Sequence, residues 1–76
     1  MRITDEEIGA NVKRLRARGP KSQAQVSADM QLMGHGSWRT KTVSLVENGK
    51  QSLKLREAAT LASLLGCTLD QLVGRD

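Results

Sequence analysis

Thr4-Asp5-Glu6-Glu7, Ser22-Gln23-Ala24-Gln25 and Thr68-Leu69-Asp70-Gln71 each set a hydroxyl residue three positions before a Glu or Gln. Each has the form of a capping box, in which the hydroxyl accepts from an amide of the first turn and the third residue reaches back. Three helix starts within 76 residues leave room for little except short helices. No stretch alternates apolar and polar residues with the period of a strand. The expected fold is therefore all-α, a compact five-helix domain occupying residues 1–76 as one unit.

The apolar spacing fills in those helices. Ile8, Val12 and Leu15 form a stripe behind the first box, with Ile3 and Ile8 at the spacing of a hydrophobic staple and Gly19-Pro20 as the stop. Lys13, Arg14, Arg16 and Arg18 lie on other faces, either as a solvated surface or as contacts to an anion. Val26, Met30 and Met33 make the second stripe, ended by Gly34, and Gly34-His35-Gly36-Ser37 reads as a flexible turn. A third helix is expected from about 38 to 48, with Trp38, Thr42, Val43 and Val46 inward and Asn48-Gly49 as its exit. A fourth, about 55–65, turns Leu55, Ala58, Ala59, Leu61, Ala62 and Leu65 to the core and stops at Gly66. The third box opens a short fifth helix carrying Leu69, Leu72 and Val73 before Gly74.

Composition excludes several classes. Twelve Lys and Arg against eight Asp and Glu give a net charge of +4, which favours an anionic partner. The single Cys67 has no second cysteine to pair with, so it reads as a small buried hydrophobe in a reducing compartment, and the expected location is cytoplasmic. No segment reaches the apolar length of a membrane span, and the first residues lack the pattern of a signal peptide. His35 stands alone among glycines with no co-ligands, so no metal or other cofactor is expected. No nucleophile–base pair or phosphate-cradling glycine loop suggests an enzyme with a small-molecule substrate.

The stretch GSWRTKTVSLVENGK, residues 36–50, holds the chain's only Trp, a basic and hydroxylic face and a helix stop. Preceded by SQAQVSADM and a glycine-containing turn, it completes a helix-turn-helix order. From Ile8 to Val73 the chain resembles the phage repressor and Cro-type, or Xre-type, helix-turn-helix family. SQAQVSADM matches its second helix, TVSLVENGK its recognition helix and exit, and LASLLGCTLDQLV its closing helices. In one place the chain departs from that pattern: QLMGHGS adds about six residues before Trp38. The GHGSW form resembles an actinobacterial and actinophage variant in which Trp fills the apolar position ahead of the recognition helix, as a core anchor whose indole N–H wants a partner. A second departure is Arg39, where the family has a Ser or Thr cap, so Ser37 is a candidate cap instead.

The resemblance implies double-stranded DNA as partner. It maps Thr40, Lys41 and Ser44 onto positions that face base edges in the major groove, a role their donors and the Thr40 methyl suit. Leu45 falls at a groove-facing position as well, there to meet a thymine methyl or else to contact the lengthened turn. Gln23 matches a residue that grips phosphate and braces the recognition helix. Asn48 and Lys50 match phosphate contacts, and Arg39 joins them on charge. Glu47 would be repelled by phosphate; the family residue pairs internally, and Arg14 of the first helix is the candidate partner, against an unpaired solvated carboxylate.

A single module of this size has a small DNA footprint, which dimerisation usually enlarges. A homodimer on a pseudo-palindromic operator is expected, with the C-terminal region as the implied contact and Leu69, Leu72 and Val73 as its apolar residues, unless these complete the monomer core. The expected function is a sequence-specific transcriptional regulator, a repressor in kind. The rivals are an antitoxin that binds its own operator and a protein–protein module using Leu45 and the QLMGHGS segment.

Overall fold

The computed structural model describes residues 2–75. Five helices follow one another: α1 (Asp5–Ala17), α2 (Gln23–Leu32), α3 (Thr40–Glu47), α4 (Leu55–Leu65) and α5 (Leu69–Leu72), with no strand among the described residues. All three boxed residues cap their helices: the Thr4, Ser22 and Thr68 hydroxyls each accept from the amide three residues on, at 3.1 Å. Only Thr68-Gln71 closes both arms, Gln71 Oε1 accepting the Thr68 amide at 3.0 Å. Gln25 donates to Asp29 Oδ1 at 3.2 Å instead, while Asp29 Oδ2 pairs with Lys21. Glu7 accepts from the Thr4 hydroxyl at 3.2 Å, and Ile3 stays 43% exposed, so the staple does not close over α1.

The glycine stops work through a shared bond pattern. Gly34 has φ +98°, and there the His35 amide donates to Met30 O at 3.0 Å while the Gly34 amide donates to Gln31 O at 3.2 Å. These are the two bonds of a Schellman motif. At Gly49, φ +72°, Lys50 N donates to Leu45 O at 2.8 Å and Gly49 N to Val46 O at 3.1 Å. The ends of α4 and α5 repeat it at Gly66 and Gly74.

Buried side chains from all five helices meet in one core: Val12 and Leu15, Val26 and Met30, Val43 and Val46, Leu61 and Ala62, and Leu72. Trp38 joins them from the turn before α3, only 1% exposed, so its expected role as a core anchor is the observed one. Three expected core positions lie outside. Met33 is 58% exposed because α2 ends at Leu32 and the chain turns away; Ser27 is buried on that helix instead. Leu55, the first residue of α4, is 78% exposed, and Ala59 is exposed, while Leu64 packs against the core.

α1 and α3 cross unusually closely. A Cβ on Gly9 would lie 2.8 Å from the Glu47 carbonyl oxygen and closer still to that of Val46. Backbone sits on both sides of the contact, so neither helix can give way by a rotamer change. Gly9→Ala is expected to destabilise the protein by about 1–3 kcal/mol, the usual cost of overpacking, despite the better helix propensity of Ala. Urea unfolding would read this, and an unchanged midpoint would mean the helices are free to part.

Candidate nucleic-acid interface

α3 is only eight residues long, below the length at which a helix is stable alone, so its position depends on what its inner face touches. Val43 and Val46 enter the core, and Glu47 follows them inward with its side chain 1% exposed. Its carboxylate accepts from Arg16 Nε at 2.5 Å and Arg16 Nη2 at 3.2 Å, and Gln23 Nε2 donates to it at 3.0 Å. Helices α1, α2 and α3 thus converge on one carboxylate. The hydrogen bonds to Glu47 raise the pKa of the Arg16 guanidinium, against its partial burial.

The internal pairing of Glu47 is as expected, but its partner is Arg16, not Arg14. Gly9 marks the line along which α1 touches α3, and Arg16 is two turns farther along that line. Arg14 points away and donates to Asn11 Oδ1 at 3.4 Å.

The helix also starts later than the sequence suggests, at Thr40 rather than Trp38, and ends at Glu47. Ser37 does not cap it. Arg39 holds the cap position, and since a guanidinium has no acceptor, the bond runs one way: the Arg39 amide donates to Thr42 Oγ1 at 3.0 Å. Thr42 is half-buried as a result.

The lengthened turn, residues 33–39, is fastened rather than flexible. Gln31 Nε2 donates to Trp38 O at 2.5 Å, and Arg39 Nη1 donates to Gly36 O and Trp38 O, each at 2.8 Å. The Trp38 indole N–H donates to Glu57 Oε2 at 2.9 Å, and Glu57 Oε1 accepts the Lys54 amide at 2.8 Å. His35 Nε2 meets Thr60 Oγ1 at 2.9 Å. Burial pushes the Glu57 carboxyl up, but the Lys54 amide, the indole and the nearby charges of Lys54 and His35 outweigh it and hold the group below the ordinary glutamate range.

Of the other residues expected at the interface, Arg39, Thr40, Lys41, Asn48 and Lys50 are exposed, and Ser44, Leu45 and, on α2, Gln23 are half-buried. Asn48 Nδ2 spends one hydrogen on Ser44 O at 2.9 Å. Lys54 and Arg56, at the start of α4, are exposed as well; nothing in a local pattern singled them out. Between residues 39 and 56 the only carboxylate is Glu47, which is turned inward. Among the described residues no group of three His, Cys, Asp or Glu side chains gathers as a metal site, and no helix is long and apolar enough to cross a membrane.

No protein-family model and no curated protein matches this chain. Solved structures do, as helix-turn-helix domains. The DNA-binding domain of BldD superposes with a TM-score of 0.73 at 22% identity, over 96% of this chain and 99% of that one. The restriction-modification controller protein C.AhdI from Aeromonas hydrophila gives 0.74 at 20% identity, over 90% of each. A SOS-response transcriptional repressor, LexA from Eubacterium rectale, gives 0.78 at 12% identity, over 96% of this chain and 71% of that one. At these identities the likeness is one of fold.

Two outcomes are expected from the contacts around α3. Arg16→Ala leaves the Glu47 charge buried with only Gln23 to meet it, and should cost about 3 kcal/mol or more in unfolding free energy, whereas Arg14→Ala should cost under about 0.5; equal losses would mean that the pair does not hold α3. The depressed Glu57 carboxyl adds stability above the unfolded-state glutamate pKa, which is lost as pH falls through the lower folded value. The melting-temperature gap between the parent and Glu57→Gln should therefore shrink toward about pH 3, and a gap constant to that pH would remove Glu57 as a stabilising anion.

Proposed function

We propose that this chain is a single-domain, sequence-specific double-stranded DNA-binding regulator, acting in the cytoplasm as a transcriptional repressor, with α3 as the helix that enters the major groove. The observation that carries this reading is the exposed part of α3 and its two flanking connections: hydroxyls, an amide and the four exposed cations Arg39, Lys41, Lys50 and Lys54, with no outward carboxylate between residues 39 and 54. The roles of BldD, C.AhdI and LexA as DNA-binding or regulatory proteins point the same way.

Thr40, Lys41, Ser44 and Leu45 read base edges, Lys41 donating to guanine and Leu45 meeting a thymine methyl. Gln23, Arg39, Asn48 and Lys50 hold phosphates. Each of the first three has structural bonds as well; Gln23 and Arg39 keep at least one further N–H for an outside acceptor, while Asn48 donates to both Ser44 O and Ser44 Oγ and must release the longer, 3.4 Å bond to reach a phosphate. Two copies bind a pseudo-palindromic operator, their α3 helices about 34 Å apart. Of the three residues expected at that contact, Leu72 is closed inside the monomer at 1% exposure, whereas Leu69 is 42% exposed and Val73 half-buried. Leu55 joins them along an apolar groove between α4 and α5.

A second reading, a protein–protein module, has one observation in its favour: Leu32 and Met33 stand 85% and 58% exposed beside the turn. Salt separates the two, since DNA affinity falls steeply with ionic strength and an apolar contact does not. After selection of an operator from a random duplex pool, Lys41→Ala should lose about 1–3 kcal/mol of discrimination between sequences and keep non-specific binding. Lys50→Ala should weaken every duplex alike and flatten the salt slope by about 0.9. Failure to enrich any sequence at low salt would end the proposal.

A further inference from the structure

We propose that the cleft between the lengthened turn and the start of α4 is a phosphate-group site. Its cavity is about 450 Å³, walled by Gly34–Ser37 on one side and by Lys54, Arg56 and Glu57 on the other. That is ample for a phosphate with part of its ester substituent.

The donors come from both walls. Lys54 and Arg56 supply fixed positive charge, and Ser37 an exposed hydroxyl. Thr60 donates its hydroxyl hydrogen to Arg56 O at 3.0 Å, so its oxygen accepts from His35 Nε2. The ring is thereby fixed at the edge of the cleft and adds no donor of its own to the count. Lys54, in the cap position of α4, offers no side-chain acceptor to the first-turn amides, and Arg56 and Glu57 of that turn line the cleft. The one anion present, Glu57, is already engaged on both oxygens by the Lys54 amide and the Trp38 indole. A second anion therefore meets two cations and several uncommitted donors against one occupied carboxylate. Two glycines in the facing wall, Gly34 and Gly36, have nothing within 4 Å of where a Cβ would stand, so the wall gives an oxygen-rich group close access to backbone.

The phosphate has two sources, a DNA backbone outside the groove or a free phosphorylated small molecule, and the site stands whether or not α3 binds duplex. The test titrates the full chain with inorganic phosphate at constant ionic strength, following amide ¹H–¹⁵N shifts. Saturable shifts confined to residues 34–37 and 54–57, in the roughly millimolar range, are expected. In Lys54→Gln/Arg56→Gln the apparent affinity should fall about tenfold, while Lys13→Gln/Arg14→Gln, neutralised on α1, should respond like the parent. Duplex binding then identifies the source. A salt slope flattened by about 1.8 in the Lys54/Arg56 variant assigns the cleft to backbone phosphate, and an unchanged slope with the phosphate response intact in the parent assigns it to a free phosphate ester. Shifts spread over the whole cationic surface, or none at all, would overturn the site.

Discussion

The carboxylate of Glu47 is the point on which the arrangement of α1, α2 and α3 depends. A buried charge is tolerated only when its partners are close and numerous, and here three N–H groups from two other helices converge on it. That requirement fixes more than distance. Two donors of one guanidinium constrain the approach of α1, Gln23 sets the approach of α2, and the absent side chain at Gly9 allows the α1 and α3 backbones to meet. An apolar residue in place of Glu47 would also fill space, but would leave α3 free to slide along its axis by a turn. The hydrogen bonds make one register distinct.

The turn before α3 is set by a different device. Seven residues between α2 and α3 would normally loosen a helix-turn-helix, because a longer connection has more conformations to lose. Here Trp38 buries a large apolar surface at its end, and Glu57 accepts its indole N–H. A buried indole without that acceptor would carry an unsatisfied donor, so the pair ties the turn to α4 through a bond that only one side-chain position satisfies. Arg39 and Gln31 then close the turn on itself through carbonyl oxygens. The added length becomes a wall beside α4 instead of a loose loop.

Much of this is local and therefore legible in the sequence. Caps at Thr4, Ser22 and Thr68 and the glycine stops depend on bonds between residues three to five apart, and these appear in the chain as short patterns. Trp38 as an anchor was readable from the resemblance, which places it on the inner side. Periodicity failed where a stripe ran past the end of its helix: Met33 and Leu55 have the right spacing, but one follows the last turn of α2 and the other precedes the packed part of α4. Arg16 was indistinguishable from Arg14 by charge, and only the Gly9 contact line separates them. The His35–Thr60 and Trp38–Glu57 bonds join residues 25 and 19 positions apart, and no local pattern announces a partner at that distance. The roles of Thr40, Lys41, Ser44, Leu45, Gln23, Arg39, Asn48 and Lys50 toward DNA come from the resemblance, since exposure and charge alone admit any anion.

What connects the fold to the proposed function is how the acidic groups are used. Asp29 is held by Lys21, Glu47 by Arg16 and Gln23, and Glu57 by an indole and an amide. Each pairing is a structural tie, and that of Glu47 also removes the one carboxylate of α3 from its surface. Had Glu47 pointed outward, it would have lost its burial partners and set a negative charge among groups meant for phosphate, cancelling much of the field from Lys41 and Lys50 within a Debye length of about 8–10 Å. Turning it inward serves stability and field together. A positive surface in this position is therefore a consequence of how the core is locked, and any change that frees Glu47 should disturb anion binding even where no contact residue is altered.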